Sequence, residues 1–198
     1  MRRPADLEAL SFADFRQAMR RELVAAFGAE QVAPFFGGQT AKVVVVGQAP
    51  GGTSVQLRPW SNASGKTLRE RWLQLSEAEF YDPENIYLTA IGMYFPGKDA
   101  RGNDCKPDSA LAEVWLRQEL TYLRPQLYLV VGRMAADFFF PRRDFAELVG
   151  ANQTINDVPA LVLPHPSPLN AKWLKDHPEF SEERLPALRT ALREALLL

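Results

Sequence analysis

The residues of this chain with the most chemical potential fall into two separated segments, Gly47-Gln48-Ala49-Pro50-Gly51-Gly52 and Pro164-His165-Pro166-Ser167-Pro168-Leu169-Asn170. Glycines in the first let backbone N–H groups approach a ligand without side-chain obstruction. In the second, a histidine stands among prolines that stiffen its loop. A donor held in place this way can stabilise charge that develops in a transition state. Between the two, Arg58-Pro59-Trp60 contributes an indole with a large π face. Each segment alone also has a structural reading: a tight strand-to-helix turn, a tryptophan packed under its own loop, a histidine satisfied within a turn.

Other chemistries lack their residues. The G-x-G-x-x-G spacing of a dinucleotide site is absent, and so is the G-x-S-x-G nucleophile elbow. Ser64-Gly65-Lys66-Thr67 resembles the end of a phosphate loop, but the first glycine that loop requires falls on Trp60. Cys105 is the single cysteine, which excludes an internal disulfide and an all-cysteine iron–sulfur cluster. With only His165 and His177 beside it, a zinc site built from Cys and His is not expected.

Regular elements must position these segments. Phe12, Phe15, Met19, Leu23 and Phe27 recur at three- and four-residue spacing, predicting an amphipathic helix over 12–27 with Ser11 or Asp14 as its cap. The β-branched run at 42–46 ends at a glycine and predicts a buried parallel strand. Runs at 86–91, 127–131 and 160–163 predict three more. Residues 47–62 form a long Gly/Pro-rich loop of the kind that carries function in a compact domain, and 95–107 a second loop.

Helices are predicted over 65–75, 109–123, 133–140 and 185–197. The second of these has Ser109 or Asp108 as its cap and Leu111, Val114, Trp115 and Leu120 inward. Strands alternating with helices predict a three-layer αβα sandwich around a central, mainly parallel, four-stranded sheet. Ligands of such sheets bind beyond the carboxyl ends of the strands, where both special loops fall.

A length of 198 residues with 46% hydrophobic content suits one domain over 1–198, opening with a helical segment at about 6–38. The net charge of −1 gives no global basic field, so any polyanion affinity must come from a local patch. Neither a signal-peptide core nor an apolar run of membrane-spanning length is present, so a cytoplasmic protein with no membrane partner is expected. Nothing in the pattern calls for more than a monomer.

Taken in order, the glycine loop and the His-Pro-Ser loop resemble the two active-site motifs of the uracil-DNA glycosylase superfamily. The motif order is nearest to its iron–sulfur type, whose cluster cysteines this chain lacks. Arg58-Pro59-Trp60 resembles the Arg-Pro-Phe segment whose ring stacks on an extruded base. Tyr87-Leu88-Thr89-Ala90-Ile91 with Phe95-Pro96-Gly97 resembles the segment that carries a base-reading asparagine, with Ala90 in its place. The resemblance runs over about residues 40–175.

It implies a DNA glycosylase of base-excision repair, hydrolysing the N-glycosidic bond of uracil or another deaminated base flipped out of DNA, with no cofactor and no metal. His165 and Gln48 are then the catalytic residues, and Gln48, Ala49, Pro50, Gly51, Trp60 and Ala90 bind the base. Ser167, Pro168, Leu169 and Asn170, with Arg58 and Lys66, contact DNA, Leu169 as an apolar wedge. No lysine stands out as a Schiff-base nucleophile, so no lyase step is expected.

The alternative implied by Ala49 and Ala90, where relatives hold polar residues, is a catalytically weak or inactive DNA-binding member; a small-molecule αβ hydrolase ranks behind both. Arg58, Lys66, Arg69, Arg71, Lys98, Arg101, Lys106, Lys172 and Lys175 are expected to form a half-ring of positive charge around the pocket if their loops converge.

Overall fold

Five strands form one sheet in the order β2-β1-β3-β5-β4 in the computed structural model, which describes residues 9–52 and 57–198. The strands are β1 (Val43–Gly47), β2 (Ile86–Ala90), β3 (Leu127–Val131), β4 (Gln153–Ile155) and β5 (Val158–Leu163). β1 pairs in parallel with β2 and β3, and β3 in parallel with β5. β1, β2 and β3 are buried along their whole length, which explains why they are mainly Val, Leu, Ile and Tyr, with Thr89 of β2 the polar exception.

The expected αβα sandwich is therefore present, with a fifth strand beyond the four the sequence pattern predicts. β4 pairs antiparallel with β5 at the sheet edge. It escapes the pattern because it is short and because Pro159 interrupts the apolar run opposite it.

Helix α1 (Phe12–Phe27) has the expected bounds, and Ser11 Oγ accepts the Asp14 N–H as its cap. Phe15, Met19 and Leu23 pack with Tyr94 and Trp115 in a satellite core. Helix α2 starts at Ala63–Lys66 and continues with a wider π-helical winding through Thr67–Leu73, ending at Gln74 in the left-handed region. A single turn, α3 (Glu77–Phe80), is closed by a capping box between Ser76 and Glu79.

Helix α4 (Ser109–Thr121) takes its cap from Asp108, and buries Ala112, Trp115, Leu116, Glu119 and Leu120. Of the positions expected inward, Leu111 and Val114 are only half-buried. Helices α5 (Arg133–Phe139), α6 (Phe145–Gly150) and α7 (Ala171–Asp176) surround the β3 and β5 ends, and α8 (Leu185–Leu196) closes the fold. Lys42 Nζ donates to the Leu196 carbonyl at 3.2 Å, tying the start of β1 to the end of α8. The expectations that touch residues 1–8 and 53–56 lie outside the described residues.

Candidate active site

Parallel strands bring all their carboxyl ends to one edge of a sheet, and the pocket lies there. The loop after β1 supplies Gln48, Ala49, Pro50 and Gly51, with Trp60 and Asn62 opposite them. Thr89 and Ala90 close it from the end of β2, and His165 enters from the loop after β5. All the residues expected to bind a base, and both expected catalytic residues, therefore line one cavity. Main-chain bonds hold its floor: Ile91 N–H donates to the Gly47 carbonyl and Gly92 N–H to the Gln48 carbonyl, both at 3.0 Å.

Trp60 is placed by an unusual backbone. Its φ of 62° lies in the left-handed region, and a Cβ built at Gly65 would fall 1.7 Å from its carbonyl oxygen. Only glycine allows this approach of α2 to the loop. Tyr81 Oη donates to the Pro59 carbonyl at 2.9 Å and fixes the loop from the other side. The indole then lies against Gly47, where an added Cβ would come within 3.0 Å of Cζ2. It is partly packed under its loop, as its structural reading holds, and it also lines the cavity.

His165 is half-buried, and its ring centroid stands 5.8 Å from that of Trp60 at an interplanar angle of 33°. Burial, with no compensating charge, holds its pKa below the ordinary histidine value. The imidazole is therefore neutral at neutral pH, with one N–H available as a donor. Asn170 Nδ2 donates to the His165 carbonyl at 2.7 Å, closing the loop on itself. Ser167 Oγ accepts the Leu169 N–H at 3.3 Å and caps the single 3₁₀ turn Pro168–Asn170. At the tip of that turn Leu169 is 94% exposed. A lone exposed leucine is common; this one projects from the loop that carries His165, four residues further on.

Sequence reasoning missed Asn62 and the buried cluster of Thr89, Tyr87 and Glu119. Asn62 lines the pocket and accepts the Gly65 N–H at 2.9 Å through Oδ1, so its cap role at α2 also fixes its amide. Asparagine ahead of a helical run was the available signal. Thr89 donates from Oγ1 to Glu119 Oε2 at 2.6 Å, and Tyr87 Oη donates to Oε1 at 2.7 Å. Glu119 is 1% exposed, and burial pushes its carboxyl up although both hydroxyls pull the other way. No local pattern distinguishes this glutamate from a solvated helix residue.

Several members of the expected basic half-ring have partners on the protein itself, and burial removes Arg69 from it. Arg69 is 8% exposed and faces Glu70 and the Tyr81 ring, because α2 buries that face. Arg58 pairs with Glu77 at 3.3 Å and lies over Tyr81 at 4.5 Å; Lys66 approaches Glu70 at 3.9 Å. Lys98 pairs with Asp104 and Lys172 with Asp176. These exposed pairs are individually weak, yet each offsets a charge the ring would need.

Among the described residues no three His, Cys, Asp or Glu side chains gather, and no helix is long and apolar enough to cross a membrane. The pocket lining described contains no carboxylate, and Ala49 and Ala90 present methyl groups. What the cavity offers is a flat aromatic wall, a side-chain amide, glycine-loop backbone and a neutral imidazole donor, a set suited to a planar heterocycle that gains negative charge. A family model described as the Uracil DNA glycosylase superfamily matches residues 34–189, which take in every strand of the sheet and both pocket loops, and the chain belongs to that superfamily.

Proposed function

We propose that the protein is a monofunctional DNA glycosylase that hydrolyses the N-glycosidic bond of uracil or another deaminated base. The observation that carries this reading is the neutral His165 imidazole beside the Trp60 indole on the wall of one cavity. A base extruded from the duplex, at a cost of a few kcal/mol, stacks on Trp60, with stacking worth about 1–3 kcal/mol.

As the C1′–N bond lengthens, the sugar gains oxocarbenium character and the electron pair of the bond passes to the base. The His165 N–H donates to the base oxygen where that charge collects, an interaction stronger in the transition state than in the ground state. Water adds its oxygen to C1′ and its proton ends on the departing base. Ala49 cannot orient that water; the Gln48 amide is the polar side chain beside it. Leu169 fills the gap left in the stack, and Ser167, Pro168, Asn170, Arg58 and Lys66 lie on the DNA side of the site.

The test is an end-labelled duplex carrying one uracil, hypoxanthine or xanthine, incubated with wild type or His165→Ala and then treated with alkali. Breaks that require His165 support the reading and name the base. The carboxylate-free lining and the two alanines favour a second reading, a DNA-binding member without turnover. Tight binding to abasic or uracil-containing DNA with no breaks on any substrate would select it.

A further inference from the structure

The strand order reverses direction at the boundary between β1 and β3: the chain leaves β1 for β2 on one side and leaves β3 toward β5 on the other. Such a boundary opens a crevice between diverging loops, the place where open parallel sheets hold their ligands. A groove lies there, adjoining the base pocket and sharing Gln48 and His165 with it. Its remaining wall includes Lys106, Arg133, Asp137 and Asn170.

The charges of this groove are not balanced. Arg133 Nε donates to both Asp137 oxygens, at 2.8 and 3.0 Å, so that pair offsets itself. His165 is neutral. Asp137, the carboxylate of this groove, is held by Arg133, and Lys106 forms no ion pair among the described residues. It is also the member of the expected half-ring that lines this groove while its neighbours Arg58, Lys66, Lys98 and Lys172 are spent on acidic partners.

The backbone carrying Lys106 is held on both sides. Cys105 N–H donates to the Gly97 carbonyl at 2.9 Å, Pro107 is buried, and Asp108 N–H donates to Tyr94 Oη at 2.8 Å. A lysine on an anchored backbone loses less entropy on engaging a ligand than one on a free loop.

We propose that this groove is a phosphodiester subsite in which Lys106 binds a non-bridging oxygen of a DNA backbone phosphate next to the extruded nucleotide. The inference rests on the reading of the adjoining pocket as a base site. With the base against Trp60 and its oxygen at His165, the nearest anions along the strand are the phosphates esterified to its own sugar. The groove that shares Gln48 and His165 with the pocket is where one of them falls.

The experiment measures binding of full-length protein to a duplex with one tetrahydrofuran abasic analogue, which needs no turnover, between 50 and 200 mM salt. Lys106→Gln should weaken binding about tenfold at low salt. It should also lower the slope of log K against log salt by about one. Lys106→Arg should restore most of both. A methylphosphonate at one phosphate flanking the lesion should weaken wild-type binding similarly and cost the Lys106→Gln variant nothing further.

Lys106→Gln with unchanged affinity and slope, while wild type binds, overturns the subsite and leaves the base pocket standing. Additive losses with methylphosphonate at every flanking position overturn it as well. Wild type that does not distinguish abasic from intact duplex overturns the base-site reading and the subsite together.

Discussion

Trp60 and His165 lie side by side with ring centroids 5.8 Å apart, although one follows β1 and the other β5. The two strands are not neighbours, since β3 lies between them in the sheet. The parallel order nonetheless aims both loops at the same edge, so that the two rings line one cavity.

The acid side of the activity profile reports His165. Burial lowers its pKa, so the neutral form persists below the ordinary value of about 6.5. If the uncharged imidazole is the working form, kcat/KM against pH should fall only below that value. A limb centred at or above it, and lost in His165→Ala, would mean that the histidine works as a cation.

Leu169 separates a wedge from a packing residue. At 94% exposure, it contributes little to the core. Leu169→Ala should leave the melting temperature within about 2 °C of wild type. Cleavage of a duplex substrate should fall about tenfold or more, with single-stranded substrate much less affected, because only the duplex leaves a gap to fill. Equal losses on both substrates would sink the wedge role.

Glu119 should govern stability rather than chemistry. Glu119→Ala strands the Tyr87 and Thr89 hydroxyls in the core and should cost about 2–4 kcal/mol by urea unfolding. Burial raises the folded-state pKa above the unfolded value of about 4.3. The stabilisation this gives is complete below the unfolded pKa and is lost as pH rises through the folded one. Glu119→Gln removes the titration, so its stability relative to wild type should improve from about pH 5 to pH 8. A pH-independent difference would show that the carboxyl is ionised at the bottom of that range.

Gly65 tests how Trp60 is held. A Cβ there would meet the Trp60 carbonyl at 1.7 Å, so Gly65→Ala must push the loop and α2 apart. Destabilisation of about 1–3 kcal/mol is expected, with a shift of the Trp60 contribution to tryptophan fluorescence. Asn62→Ala, which removes only the cap bond, should cost about 1 kcal/mol and leave Trp60 in place. Four tryptophans share the signal, so each comparison is made against Trp60→Phe in the same background.

Some of this protein is written locally. The bounds of α1 follow from apolar spacing and a Ser11 cap, and β3 from a run of five buried residues, because helix and strand periods are read over a few neighbouring side chains. β4 had a local signal too. Asn156 and Asp157, both with positive φ, form the two-residue turn that joins it to β5. The Gly-Gln-Ala-Pro-Gly and Pro-His-Pro-Ser segments were legible as a pair because loop chemistry uses rare residue orders.

Only the tertiary structure decided which residues meet. Of nine candidate cations it set Lys106 on the wall of the groove beside the pocket, because the neighbours of each charge depend on how the loops converge. It buried Glu119 under β2, added Asn62 to the pocket wall, and left Leu169 standing clear of the surface. A sequence determines the conformations a segment prefers; contacts between segments far apart in the chain depend on sheet order and helix packing, which no single segment encodes.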